Sequence, residues 1–220
     1  RGPAVAALDD LVRATWREQG CRGELAPPPA AAPAGAPGGQ LVRIVPSSPD
    51  DEFNRIYALL LAAIHGAERS VYLTMAYFAP GEDMVDALAR AAQRGVDVQL
   101  VLPSVSDFAP VLHAGRSHYQ RLLDAGVQLH ELQDAMLHAK TAVIDGVVST
   151  VGSSNLDWRS IVANREVNAV VLGEDFGAAM TRMFRRDVAA STRITPEAWA
   201  ARPWTQRLRE LLARALEPLW

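Results

Sequence analysis

MLHAKTAVIDGVVSTVGSSN, residues 136 to 155, is the stretch on which the fold of this chain turns. Asp145-Gly146 separates LHAKTAVID from VVSTVG, two runs rich in apolar and β-branched residues, and an Asp-Gly pair in that position is a strong hairpin signal. Side chains two apart on a strand share a face, so His138 and Lys140 are expected to project together, with Ala139 and Thr141 pointing the other way. Gly152-Ser153-Ser154-Asn155 follows the second strand. The hairpin thus predicts an imidazole, an ammonium, an amide and a hydroxyl-rich loop at one end of a sheet. Lys140 is also the only lysine among 22 basic side chains, the rest being arginine. An ammonium is a compact, rotatable point charge where a guanidinium is a rigid planar fork, and a phosphate oxygen that changes geometry during substitution favours the compact donor.

Working outward, SVYLTMAYF (70–78), VDVQLVLP (96–103) and VQLHEL (127–132) read as strands, with helices over 82–95 and 114–126 between them. Such alternation predicts parallel strands with helices packed on the sheet faces. LVRIV (41–45) precedes them as a strand. A helix follows it, with Ser48 or Asp50 as its cap and Pro49 near its first turn. Downstream, REVNAVVLG (165–173) is a strand and EDFGAAMTRMFRRDVAAS a helix. With the hairpin added, the fold class is α/β, an α/β/α layered domain with a mixed sheet, over residues 41–194.

Two appendages flank that domain. Residues 4–19 place Val5, Leu8, Leu11, Val12 and Trp16 at helical spacing, so residues 1–25 read as the closing helix of something upstream. Residues 26–40, rich in Pro, Ala and Gly, read as a linker. The tail, 195–220, reads as amphipathic and helical, with Trp199, Trp204, Leu208, Leu211, Leu212 and Leu216 on its apolar side and arginines on the rest. Such a tail either lies on anionic lipid or packs on protein. The opening RGPAVAAL, without a methionine, suggests a piece of a longer protein.

Composition narrows the classes. Apolar residues make up 49% and charged residues 21%, as in ordinary globular domains, and the net charge of -3 argues against a protein whose main task is gripping nucleic acid. The single cysteine, Cys21, excludes an internal disulfide. The longest apolar run, YALLLAAI (57–64), falls short of the ~18 residues of a membrane span, so membrane contact by these residues is peripheral. No Cys/His cluster has zinc spacing. His65, His113, His118 and His130 read as structural or surface residues, and Tyr77 and Phe78 as core. Arg116, Arg159 and Arg165 read equally as attractors of lipid headgroups and as solvated arginines.

The string HxKxxxxD followed by GSxN (His138, Lys140, Asp145, Gly152, Ser153, Asn155) resembles the phospholipase D superfamily, with Glu166 and Asn168 of NREVN at its further polar strand positions. The segments AYFAPGEDMVDALARAAQRGVDVQLVLP, LLDAGVQLHELQDAMLHAKTAVIDG, STVGSSNLDWRS and ITPEAWAARPWTQRLRELLARALEPL look like the second half of a bacterial cardiolipin synthase. Ala76 departs from the family's frequent Pro, and His118 and His130 stand where aromatics are common.

The resemblance implies a phospholipase D-like sandwich that forms one half of a two-repeat, pseudo-twofold enzyme. The site would be completed by a first half or by a second copy of the chain. The implied reaction converts two phosphatidylglycerols to cardiolipin and glycerol through a phosphohistidine, with no metal and no cofactor. His138 is then general acid/base, with nucleophile as the alternative. Lys140 and Asn155 would neutralise the non-bridging oxygens, with Ser153 as a further donor. Glu166 would accept a hydrogen bond from His138 and fix its tautomer, and Asp145 would orient this network or simply form the turn. The implied partners are anionic phospholipid and a membrane surface, at the cytoplasmic side of a bacterial inner membrane, and no nucleic acid. A hydrolase of the same superfamily, either a phospholipase or a homodimeric nuclease, uses the same residues. A non-catalytic, lipid-binding fragment is the third class.

Overall fold

Asp145 and Gly146 both take left-handed backbone angles, φ 54 and 67, and the Val147 N–H closes the turn on the Ile144 carbonyl at 3.1 Å. This is the geometry whose twist matches two antiparallel strands. In a computed structural model, which describes residues 2–27 and 39–216, the hairpin lies at the middle of a single sheet. The chain runs α1 (Ala4–Glu18), β1 (Leu41–Ser47), α2 (Arg55–His65), β2 (Ser70–Met75), α3 (Glu82–Gln93), β3 (Asp97–Pro103), α4 (Ala109–Ser117), α5 (Tyr119–Asp124) and β4 (Gln128–Leu132). It continues with β5 (Lys140–Ile144), β6 (Val148–Gly152), α6 (Trp158–Val162), β7 (Glu166–Leu172), α7 (Glu174–Ala189), β8 (Ser191–Ile194), α8 (Pro196–Ala200) and α9 (Trp204–Leu216). Most of the expected linker, and the tail beyond Leu216, lie outside the described residues.

The strand order is β1-β7-β6-β5-β2-β3-β4-β8. β2, β3 and β4 are parallel, and every other pairing is antiparallel, so the sheet is mixed. Strand alternation divides the residues between two faces. Val71, Leu73, Val98, Leu100 and Leu129 meet Leu60, Ile64, Met84, Leu88 and Leu122 from α2, α3 and α5 in the main core. The opposite face is covered by α7, where Phe184 stacks on Tyr72 with ring centroids 4.8 Å apart.

Four elements differ from the sequence reading. α2 starts at Arg55 and is capped by Asn54, whose side chain accepts the Tyr57 N–H at 2.9 Å. Ser48 and Asp50 lie instead in a turn ahead of the helix, where the Ser48 hydroxyl accepts the Asp50 N–H at 3.3 Å and the Ser48 carbonyl accepts the Asp51 N–H at 3.1 Å, so neither caps α2. The helix expected over 114–126 begins at Ala109 and breaks at His118 into α4 and α5. Gly115 holds α4 against the Phe78 carbonyl, where a Cβ would stand 1.9 Å away, while α5 sends Leu122 into the core. The edge strand β8 and the short helix α6 carry too little periodicity to be read from sequence. The tail is helical as expected, and its described residues divide at Pro203, whose ring favours the start of α9 over the continuation of α8.

α8 docks through Trp199, held between Tyr119 at 4.8 Å and the Arg202 guanidinium at 4.3 Å. Arg202 also pairs with the buried carboxylate of Glu210 in α9, at 3.0 Å.

α7 lies directly on the hairpin turn. A Cβ on Gly177 would stand 1.9 Å from the Gly146 carbonyl oxygen, a contact that backbone on both sides must open. Gly177→Ala is therefore expected to cost about 1–3 kcal/mol, read as a lower urea midpoint at unchanged slope.

Candidate active site

The site is assembled on one row of the sheet. Lys140 opens β5 opposite Met75 of β2. The β5–β6 register, carried one step beyond Thr141↔Val151, sets Lys140 across from Gly152, which itself pairs with Asn168 of β7. Gly152 is required there. A Cβ would stand 2.0 Å from the Asn168 amide oxygen and 2.3 Å from the Val167 carbonyl. The buried Asn168 crosses that gap and accepts the Ser154 N–H at 3.3 Å.

The loop after β6 is fixed by its own polar groups. Ser153 donates its hydroxyl proton to Glu166 and accepts the Val167 N–H at 3.0 Å. The Asn155 side-chain oxygen accepts the Tyr77 N–H at 3.2 Å, so its NH2 group points elsewhere and has no acceptor among the described residues. Asp157 caps α6 by accepting the Ser160 N–H at 2.8 Å. The Asn54 amide ties α2 to the same segment, donating to the Ser160 and Ile161 carbonyls at 3.1 and 2.9 Å.

Lys140 is buried, and its Nζ donates to the His138 carbonyl at 2.8 Å. Burial pushes its pKa down, and Glu166, Asp157 and Asp107 oppose that shift from three sides. The strand begins at Lys140 and does not include His138. The imidazole sits in an exposed lead-in whose backbone is held where the Ala139 carbonyl accepts the Ala76 N–H at 2.9 Å.

Glu166 accepts from Ser153 and from Asn164 at 3.4 Å, and not from His138 as expected. β6 lies between β5 and β7, so Glu166 reaches the neighbouring strand and not the one beyond. Asp145 is also placed differently. Strands rise about 3.3 Å per residue, which puts it roughly 17 Å from Lys140, at the opposite end of β5. Its carboxylate accepts the backbone N–H groups of Glu68, Arg69 and Ser70 at 3.0, 2.8 and 2.9 Å, and Arg69 donates to its carbonyl. It clamps the hairpin to the entrance of β2 and does not touch the site.

Two residues enter that were not singled out for the site. Tyr77, expected in the core, donates its hydroxyl proton to Asp107 at 2.6 Å. This bond, burial and the Asp107 charge push the tyrosine pKa up to about 12. Asp107 is held below the ordinary carboxylate value, by the Tyr77 hydroxyl first and by His138 among lesser causes. Tyr77, Asp107, Phe108, Asn155, Asp157 and Asn164 line a cleft of about 360 Å³ beside the row, and Arg159 borders it. Asp107 lies in the loop after the carboxyl end of a parallel strand, where ligands gather in such sheets, and that signal was present in the sequence. Phe78 is core.

Arg116 is no headgroup attractor, because it is spent on a two-pronged pair with buried Glu131, at 2.9 Å for each bond. Arg165 pairs with Glu18 and Asp50, joining α1 to the domain. His118 and His130 are buried, and burial drives His118 down to about 4.

Residues 60–188 match the family model described as "Cardiolipin synthase, PLD-like domain". The chain belongs to this family. Over 99% of its length it is 33% identical to the cardiolipin synthases A of Yersinia pseudotuberculosis serotype O:1b (strain IP 31758) and of Yersinia pestis. It spans 45% of the length of these relatives. Among solved structures it is similar to Nuc from Salmonella typhimurium, a phospholipase D family member, with a TM-score of 0.60 at 20% identity over 71% of this chain and 99% of that one. It is also similar to phosphatidylserine synthase of Haemophilus influenzae Rd KW20, with a TM-score of 0.61 at 12% identity over 94% of this chain and 51% of that one. These likenesses place the fold among phospholipase D-like domains, as the sequence implied.

The Asp145 clamp makes a stability prediction with a definite sign. Burial works to raise this carboxyl's pKa, and the three N–H donors with Arg69 outweigh it and hold the value below that of an ordinary aspartate. A depressed carboxyl stabilises the fold above its unfolded pKa and loses that contribution as pH falls through the folded one. Asp145→Asn should therefore cost about 1–3 kcal/mol at pH 7, and the gap to wild type should close below about pH 4 in urea titrations.

Proposed function

We propose that this chain carries one half-site of a phosphatidyltransferase that makes cardiolipin from two phosphatidylglycerols and releases glycerol. The observation that carries the proposal is that Lys140 rests on the His138 carbonyl at the sheet end where Asn155 holds the Tyr77 backbone beside an open cleft. Family membership supports phospholipid chemistry at that spot.

In this reading a histidine of the other half attacks the phosphorus of the first lipid. The P–O bond to glycerol breaks, and His138 gives that oxygen its proton. The hydroxyl of the second phosphatidylglycerol then attacks the phosphohistidine, returns a proton to His138 and leaves as cardiolipin. One exposed imidazole serves both transfers because acid and base roles alternate. The reverse assignment, with His138 as nucleophile, uses the same geometry.

Lys140 and Asn155 supply donors to the non-bridging oxygens. Glu166, Asp157 and Asp107 support the charged form of Lys140 against its burial. Ser153 and Glu166 act on Lys140 and on the loop, and Asp145 acts only by holding the hairpin. No cofactor enters these steps. No described helix is long and apolar enough to cross a membrane, and the lipid would be met from the surface of a bacterial membrane. Exposure of His138 also admits water, so hydrolysis is the competing outcome.

The test supplies the chain with a first repeat, in trans or fused upstream, on phosphatidylglycerol vesicles and follows cardiolipin and glycerol by mass spectrometry. Wild type should form both. His138→Ala should lower turnover ~100-fold or more at unchanged stability, and Lys140→Arg should lower it as far. Phosphatidic acid in place of cardiolipin would replace the transferase with a hydrolase.

A further inference from the structure

α9 carries its apolar side outward. Trp204, Leu208, Leu211, Leu212 and Leu216 are 73, 45, 64, 52 and 47% exposed, and their spacing of four, three, one and four residues puts them on one side of the helix. The opposite side carries the buried Glu210 and Ala213. The roll of the helix is fixed. Glu210 is bound by Arg202, which also covers Trp199, and Ala213 packs with Ala79 and Ala114. Turning the leucines inward would break a buried ion pair.

Two further observations say what covers this face. Arg207 and Arg209 border it on either side, and neither has an acidic partner among the described residues. The one carboxylate of α9 in the described residues, Glu210, is already neutralised by Arg202. The exposed surface of the helix is therefore apolar with a basic fringe and a tryptophan at its start, which suits anionic lipid headgroups over acyl chains. α1 exposes Val5, Leu8 and Val12 as well, but it sets Asp9, Asp10 and Glu18 against Arg13 and Arg17 and has no such complementarity. The second observation is position. Ala79, in contact with α9 through Ala213, also lines the catalytic cleft together with Phe108 and Val111.

We propose that α9 lies in the headgroup layer of an anionic bilayer with Trp204, Leu208, Leu211 and Leu212 inserted, and holds the cleft at the surface from which a phospholipid enters. The inference rests on the lipid-directed reading of the site and names the surface that delivers the substrate.

The test uses the whole chain and vesicles of equal parts phosphatidylglycerol and phosphatidylcholine, beside vesicles of phosphatidylcholine alone. Wild type should cosediment with the anionic vesicles, and added salt should weaken the binding. Leu208→Ser with Leu211→Ser should lower the partition coefficient about tenfold or more, while Val5→Ser with Leu8→Ser on α1 leaves it unchanged. All four positions are exposed, so unfolding midpoints should stay near wild type. Wild type that fails to sediment, or a double α9 variant that binds as wild type does, overturns the proposal. So does a variant that changes only sedimentation velocity, turning dimer to monomer at equal vesicle binding, because the face then belongs to a second copy. Binding is measured without turnover. Vesicle binding that survives a failure to make cardiolipin counts against the transferase and not against the docking helix.

Discussion

Three backbone N–H groups on one carboxylate hold this molecule in register. Asp145 gathers the amides of residues 68–70 at the end of the sheet remote from the cleft, and so fixes β5 against β2. Everything at the other end follows from that alignment. Lys140 arrives opposite Met75, Gly152 opposite Asn168, and the loop carrying Asn155 reaches the Tyr77 backbone. A one-residue slip in β5 would turn Lys140 to the face covered by α7. A residue of the motif thus serves the site across the length of a strand, through geometry alone.

Sequence made the architecture legible wherever a local rule and the tertiary structure agree. The Asp-Gly turn, the strand–helix alternation from 70 to 132 and the amphipathic α1 are all local signals, and the structure contains them. What sequence missed was decided by partners remote in the chain. The start of α2 depends on Asn54 reaching Ser160 and Ile161, over a hundred residues away. The break at His118 depends on Gly115 meeting Phe78. Arg116 looked like a surface charge because Glu131, its buried partner, lies on another element. In the site, His138, Lys140 and the GSSN loop were legible as a string, but the partners of Glu166 and Asp145 were not, since spacing along a strand does not say which neighbouring strand lies within reach. Tyr77 shows the limit most plainly. Its ring reads as core, and only the fold reveals that its hydroxyl meets Asp107.

The lone lysine also finds its physical setting. It is buried, its ammonium rests on the His138 carbonyl, and three carboxylates sit near enough to favour its charge. A guanidinium there would need room for a planar fork in a row already crossed by Asn168. A single rotatable ammonium can leave the carbonyl for an incoming oxygen without displacing that neighbour.

The Asn155 amide carries a consequence for the energetics of binding. The Tyr77 N–H can donate only to the oxygen of that amide, so the orientation of the amide is decided by the backbone before any ligand arrives. The same tyrosine anchors Asp107 on the other wall. One residue therefore polarises the cleft, with proton donors on one side and an acceptor on the other. In the proposed reaction a phosphodiester entering it would be sorted end from end, its charged oxygens toward Asn155 and its hydroxyl-bearing end toward Asp107. Because both groups are set during folding, little reorganisation energy would be left to be spent at the moment of the proposed reaction.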